Sequence, residues 1–408
     1  MELSKDQKSA IEKIIKWYKD PNKQPFITLG GYAGTGKTTL IAIIKQQLGL
    51  LSNEPVKTSV SITDILNPEI KNPKSKKHKI AFCSYTGRAT QNLKIKLEKG
   101  KVLESTDTIS TIHGLIYKPM ENERAEIVGW SKKDEIDANL IIVDEASMVD
   151  QIIWNDLLSF NIPILAVGDH GQLPPINGNF NLMEKPHLKL EEIHRQARGN
   201  PIIDVSIFAR ETGVVPAKEY GKNIIKYSPD DMDFHETSKE LLENYNTDTL
   251  ILCGYNITRN KINQFVRNAL GFDLPEPSEG DRVICLRNNH KKGVYNGMIG
   301  TIINLKVLNE IWYEAEIKMD DLKNTYKGKI YAPQFGATEA INFTKDRIKA
   351  KDGDLFDFGY ALTVHKAQGS QAKRVILFEE RFAKMDEDQW RKWLYTGITR
   401  AESELFIF

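Results

Sequence analysis

The run Gly31-Tyr32-Ala33-Gly34-Thr35-Gly36-Lys37-Thr38 constrains this chain more than any other segment. It fits G-x-x-x-x-G-K-[ST] in full. It also stands where that pattern has to stand, after an apolar run at 26–29 that reads as a strand and before a helical stretch over 38–47. Glycines in such a turn let backbone N–H groups face inward onto phosphate oxygens, and the helix N-terminus adds its partial positive charge. Gly31, Gly34, Thr35, Gly36 and Thr39 then belong to the phosphate cradle, the Lys37 ammonium reaches the outer phosphates, and the Thr38 hydroxyl suits Mg²⁺. A strand, phosphate loop and helix in this order commit the segment to an α/β fold with a parallel sheet.

A second acidic element should follow a later strand of that sheet. Four apolar residues, 140–143, place Asp144 at a strand's C-terminal end, where ligands sit in such sheets. Asp144 would hold Mg²⁺, and the adjacent Glu145 would orient and deprotonate an attacking water. After the next apolar run comes Gly168-Asp169-His170-Gly171-Gln172-Leu173-Pro174-Pro175. Gln172 there either touches a γ-phosphate or its water, or sits in an ordinary Gly/Pro turn.

The 408 residues exceed one ordinary domain and suggest two to four. Apolar runs at 26–29, 80–83, 140–143 and 164–167 fall before residue 180, and those at 250–253, 375–378 and 405–408 after residue 245. Two sheets, hence two cores, account for that split. Polar residues 121–123 between short β-like stretches make 117–133 a hairpin, and Pro, Gly and short strand-like pieces over 276–352 make a small β module. Residues 52–79, rich in Asn, Pro and Lys, read as an exposed insertion. The first helix covers about 5–18, with Ser4 and Gln7 at capping-box spacing.

The net charge is only +1, so any groove for nucleic acid must come from local placement of charge. Three scattered cysteines with no C-x-x-C pair point away from a zinc site or a disulfide framework; Cys83 and Cys253 close apolar runs and read as core. The polar N-terminus and the lack of a long apolar run make a cytoplasmic setting, with no membrane partner, the expectation.

Taken in order, these blocks resemble the superfamily 1 DNA helicases, in particular the RecD-like and Dda-like 5′→3′ branch. The ordered set is Gln7, the phosphate loop, Thr86-Gly87-Arg88-Ala89, Ser110-Thr111-Ile112-His113, Asp144-Glu145-Ala146-Ser147, Gly168-Asp169 with Gln172 to Pro175, Arg195-Gln196, Tyr360-Ala361-Leu362-Thr363-Val364-His365-Lys366-Ala367-Gln368-Gly369 and Tyr395-Thr396-Gly397-Ile398-Thr399-Arg400-Ala401. It spans almost the whole chain, and its last two blocks are the most specific.

The resemblance implies ATP and Mg²⁺ as cofactors, with two RecA-like cores at 1–116 with 134–184 and at 185–275 with 353–408. It implies a β-hairpin wedge at 117–133 and an SH3-like β domain at 276–352. Gln7 would read adenine, in rivalry with its capping role. Arg195 and Arg400 would face the γ-phosphate, with surface ion pairs as the plain alternative. Thr86, Gly87, Arg88, His113, Thr363, His365, Lys366 and Gln368 would contact DNA, with Gly369 at the nucleotide side. Trp130 would stack on the base pair being opened, or simply pack. Tyr85 stands where the family usually has proline.

The implied partners are single-stranded and forked DNA, with a single-strand-binding protein or replication proteins beyond them, in a monomeric bacterial or phage enzyme. An ATPase that displaces DNA-bound proteins and a motor subunit of a recombination complex are the competing readings.

Overall fold

Strands at the centre of the first sheet are buried along almost their whole length, because a parallel strand covered on both faces has no polar side to show. The structure, a computed structural model, describes residues 3–52, 79–121, 127–175, 180–192, 199–287, 289, 292–320, 325–337 and 352–408. The chain divides into two compact units: residues 1–84, 92–170 and 182–193, and residues 85–91, 171–181 and 194–408.

The first stretch of chain contains α1 (Lys5–Lys19), β1 (Phe26–Gly31), α2 (Lys37–Ser52), β2 (Ile80–Ser84), α3 (Gly87–Lys99), β3 (Thr108–Thr111), α4 (Ile112–Ile116), β4 (Tyr117–Glu121), β5 (Ile127–Lys132), β6 (Leu140–Asp144), α5 (Gln151–Leu158), β7 (Ile164–Gly168) and β8 (Leu188–Leu190). Six of these strands pair in parallel in the order β3-β2-β6-β7-β1-β8. Ala10 and Ile14 of α1, Leu40, Ile41 and Ile44 of α2, and Leu93 and Leu97 of α3 join Leu29, Phe82, Ile142 and Val167 in one core. Tyr117–Glu121 and Ile127–Lys132 form an antiparallel hairpin outside the sheet, with Pro119 opposite Trp130.

In the second unit follow α6 (Pro201–Thr212), β9 (Lys218–Gly221), β10 (Ile224–Lys226), α7 (Phe234–Glu243), β11 (Thr249–Cys253), α8 (Asn256–Ala269), β12 (Arg282–Cys285), β13 (Ile299–Val307), β14 (Trp312–Met319), β15 (Tyr326–Tyr331), β16 (Phe356–Phe358), β17 (Ala361–Thr363), β18 (Ala372–Leu377), α9 (Glu387–Ile398) and β19 (Ala401–Ile407). Its larger sheet runs β17-β11-β18-β19-β10-β9, parallel except for the last pair. A separate antiparallel sheet runs β15-β14-β13-β12-β16 around Val283, Ile302, Ile317, Tyr326, Ile330 and Phe356.

That small sheet reaches further than its expected end at 352, because Phe356–Phe358 pairs with Arg282–Cys285. Only Gly359 and Tyr360 separate it from β17 of the larger sheet. The helix after the phosphate loop runs to Ser52, past the expected 47. The Lys-rich stretch expected at 52–79 lies, between 53 and 78, outside the described residues. All three cysteines are buried and free. No helix among the described residues is long and apolar enough to cross a membrane.

A buried ion pair fastens the small sheet to α8. Arg267 and Asp281 are both fully buried, with Arg267 Nε donating to Asp281 Oδ1 at 2.9 Å and Nη2 to Oδ2 at 3.0 Å. Tyr360 Oη also donates to Asp281, at 2.8 Å, and the guanidinium lies 4.2 Å over the Phe358 ring. Removing one partner of such a pair leaves an uncompensated buried charge, which costs about 3–5 kcal/mol. Asp281→Ala should therefore lower the urea midpoint of unfolding substantially; an unchanged midpoint would refute this role.

Candidate nucleotide and DNA site

The phosphate loop leaves the C-terminal end of β1, whose Gly30 pairs with Gly168 of β7 and whose Gly31 pairs with Leu190 of β8. Gly34 and Gly36 take φ of 79° and 78°, the left-handed region where side chains are disfavoured. The loop folds on itself, with Thr35 N and Oγ1 both donating to Tyr32 O. Lys37 opens α2, and its ammonium donates to Gly31 O at 2.6 Å and Tyr32 O at 3.0 Å and lies 3.5 Å from Asp169 Oδ2. The loop's lysine is thus drawn back over the cradle. Thr38 at the start of α2 is half-buried and Thr39 exposed.

Gln7 closes the loop from below. Ser4 N donates to Gln7 Oε1 and Gln7 N to Ser4 Oγ, completing the capping box of α1, while Gln7 Nε2 donates to Thr35 O at 2.9 Å. One side chain thus caps a helix and steadies the phosphate loop. A Cβ on Gly36 would come within 2.7 Å of the same amide nitrogen. Asp6 extends the connection, accepting from Glu191 N and Glu192 N at 2.9 and 3.0 Å.

The carboxylates stand along the same edge of the sheet. Asp144 ends β6 opposite Ser84 of β2. Burial, and then the neighbouring Glu145 charge, push its carboxyl up to about 6, against the opposing pull of its bond from Glu145 N and of Lys96 and Lys37. Glu145 is held at φ 52° and ψ 41°, a left-handed conformation for a residue with a side chain, which costs about 1–3 kcal/mol. Its Oε2 is buried with no hydrogen-bond partner. A strained residue presenting an orphaned carboxylate oxygen is arranged for something outside the protein, such as a water or a ligand.

In the second unit, four motif blocks meet. Leu173 N donates to Thr396 Oγ1 at 3.0 Å, and Gln368 Nε2 donates to Leu173 O at 2.8 Å. Arg400 Nη1 donates to Ser370 O at 3.2 Å and Nε to Thr396 O at 3.0 Å. Arg88 Nη2 donates to Gln371 O at 2.7 Å. Gly369 adopts φ 76°, and a Cβ there would sit 2.8 Å from Thr86 Oγ1. Blocks 86–88, 172–175, 363–370 and 396–400, scattered over more than 300 residues of sequence, therefore form one hydrogen-bonded cluster.

Within that cluster Arg400 is buried and spends its donors on Thr396 O, Ser370 O and Thr399 Oγ1. Thr363 and Gln368 are buried as well, Gln172 with them. Burial lowers the proton affinity of His365, and of Lys366 with help from Arg259. His113, on α4, is half-buried; burial lowers its pKa while Asp150 pulls the other way. Trp130 belongs to β5. Arg195 lies outside the described residues.

The sequence reading missed two partners. Asp169 faces Lys37 because β7 lies next to β1 and their register ends level, a neighbourhood that strand order alone reveals. Leu173 joins the cluster through its backbone, which no side-chain pattern can signal.

Residues 18–178 match the family described as an AAA domain, and residues 358–408 match the UvrD-like helicase C-terminal domain. The chain is 25% identical to the RecBCD enzyme subunit RecD of Buchnera aphidicola, covering 100% of this chain and 73% of RecD. It is 24% identical to the ATP-dependent RecD2 DNA helicase of Deinococcus radiodurans, covering 99% of this chain but only 48% of RecD2. The ATP-dependent DNA helicase dda of Enterobacteria phage T4 is 27% identical over 51% of this chain and 43% of its own. The chain is similar to the superfamily 1 helicases of the RecD and Dda type. Its fold agrees with that placement. A Pif1 helicase from Bacteroides, solved with ADP-AlF3 and single-stranded DNA, superposes with a TM-score of 0.53 at 16% identity, over 100% of this chain and 92% of the Pif1 chain.

Proposed function

We propose that this chain is an ATP-dependent DNA helicase that moves along single-stranded DNA, in the 5′→3′ direction, and opens duplexes at forks. The observation that carries the reading is the knot in which Gln368 and Thr396 bond both faces of the Leu173 backbone. It joins the block 172–175 to the two blocks most specific to the family.

The chemistry is hydrolysis of a nucleoside triphosphate. The loop N–H groups and Lys37 seat the phosphates, and the orphaned Glu145 carboxylate orients and deprotonates the water. The donors fit Mg²⁺: a Thr38 hydroxyl and the Asp144 carboxylate are hard oxygens. No cluster of three or more His, Cys, Asp or Glu occurs among the described residues, which suits an ion shared with substrate phosphates rather than caged by protein. Bound there, Mg²⁺ would neutralise charge on the β- and γ-phosphate oxygens. Arg400, once released from Ser370 O, has the planar charge that stabilises a transferring phosphoryl group, and Arg195 is proposed for the same task. Gln7 is proposed to read adenine, in addition to its cap.

Thr86, Gly87, Arg88 and His113, together with Thr363, His365 and Lys366, are proposed to grip the strand through its phosphates and sugars, which suits a machine indifferent to sequence. The larger sheet of the second unit serves in this reading as a second RecA-like core and the small sheet as an SH3-like module. The hairpin 117–132 serves as the wedge, with Trp130 as its stacking residue.

Duplexes carrying a single 5′ or a single 3′ tail test this. Strand separation is expected from the 5′ tail only, with ATP and Mg²⁺, and Trp130→Ala should lose unwinding while keeping most of its DNA-stimulated ATPase. Hydrolysis without separation of either substrate would favour the protein-displacing ATPase, and equal loss of both activities in Trp130→Ala would end the wedge assignment.

A further inference from the structure

The exposed aromatic cluster around Tyr255 is the strongest unassigned feature of the second unit. The register of the larger sheet explains how it forms. In the β11–β17 pair Cys253 lies opposite Thr363, and Val364 N donates back to Cys253 O at 3.0 Å. Tyr255 and His365, each two residues beyond these partners, therefore leave adjacent strands at the same level. On the other side of β11, Leu252 lies opposite Leu377 of β18, and Phe378 N donates to Leu252 O. The chain leaving β18 brings Phe382 to the same edge. The Tyr255 and Phe382 rings meet edge to face at 4.6 Å and 87°, and the His365 and Phe382 rings lie 6.4 Å apart, inclined by 33°.

The cluster is held and yet open. Glu380 fixes the backbone beneath it, accepting from Gly254 N at 2.7 Å and Tyr255 N at 3.0 Å and from the Thr258 hydroxyl. Tyr255 nevertheless remains 41% exposed, and Ile257 beside it 62%. The Tyr255 hydroxyl donates to Arg381 O at 3.4 Å, so the ring is fixed while part of it stays in water.

We infer that Tyr255, braced by Phe382 and beside His365, is a stacking platform for a base of the single strand held by the 363–368 block. This rests on the helicase reading and adds a site to it. Three observations choose a base as the occupant. The N–H groups of Gly254 and Tyr255, where a phosphate would otherwise seat, are already taken by the Glu380 carboxylate, so at this position the chain offers a ring and not its backbone donors. Arg381, the nearest cation in sequence to Phe382, is paired with Glu387 at 2.6 Å. His365 is kept toward its neutral form by burial, so it contributes an aromatic face. A stacked base gains from any aromatic face and is not selected by sequence, as a translocating strand requires.

The test uses the full chain and two fluorescent probes, an oligothymidylate and an abasic oligonucleotide of equal length, read by anisotropy. Stacking of one base on one aromatic side chain supports an expected loss of about tenfold in oligothymidylate affinity for Tyr255→Ala. Binding to the abasic probe should stay at its wild-type value, so the preference for bases collapses. Tyr255→Phe should keep that preference, and Phe382→Leu should weaken it. Tyr255→Ala with a full wild-type preference overturns the platform while leaving the helicase reading intact. A tenfold loss on both probes alike also overturns it, since that would be a phosphate or folding effect. Wild-type protein that binds neither probe brings down the helicase reading itself. Pull-down of a protein through this face with unaltered oligonucleotide binding would reassign it as a protein contact.

Discussion

Lys37→Ala should reduce DNA-stimulated ATP hydrolysis by about 10²–10³-fold or more, the loss expected when one preorganised charge is removed from a developing transition state. The geometry makes the loss specific. The Lys37 ammonium bridges Gly31 O, Tyr32 O and the buried Asp169, so alanine removes the cation expected at the phosphates. Steady-state phosphate release measures the effect, and a variant that turns over within a few-fold of wild type would show that this loop does not handle the transferred phosphate. Single-strand binding without nucleotide should persist, because Lys37 lies at the phosphate loop and not among the blocks proposed to contact DNA.

Glu145→Gln separates binding from chemistry. The amide fills the same space but cannot take a proton, so turnover should fall by about 10²–10⁴-fold, the usual worth of a positioned general base. Affinity for a fluorescent ATP analogue should remain within a few-fold. A second reading follows from charge. Asp144 is pushed up to about 6 first by burial and then by Glu145, so removing the Glu145 charge lets Asp144 stay ionised to lower pH. Mg²⁺-dependent nucleotide binding should then survive further into the acid range in Glu145→Gln than in wild type. Full turnover in this variant would assign the water-activating role elsewhere.

Much of this was legible because the chemistry-bearing residues sit where apolar runs stop. The runs at 80–83, 140–143, 164–167 and 250–253 are continuous and fully buried, that at 26–29 is buried but for Phe26, and such segments announce both a strand and the loop that follows it. Thr108–Thr111 and Lys218–Gly221 escaped notice because their exposed, polar residues carry no apolar run. Ala361–Thr363 escaped for another reason: three residues that run directly into the motif block are too few for any period to show.

The site was less legible than the fold. Residue types named the phosphate loop and the acidic pair, but strand order decides that Asp169 is the neighbour of Lys37. Gln7 had appeared to face a choice between capping and recognition. In the folded chain its amide oxygen serves the cap while its nitrogen holds Thr35 O, so the cap is also a brace for the loop. Arg400 illustrates the limit of reasoning from residue type: a guanidinium suited to phosphate is bonded to backbone carbonyls of its own unit, and its partner Ser370 could not be guessed from spacing.

The most direct measurement is steady-state ATP hydrolysis by the purified chain over a titration of oligothymidylate. Turnover should rise steeply from a low basal rate and saturate as the strand fills its track, and Lys37→Ala should stay flat throughout. A wild-type rate indifferent to the added strand would contradict a motor whose nucleotide chemistry is coupled to DNA.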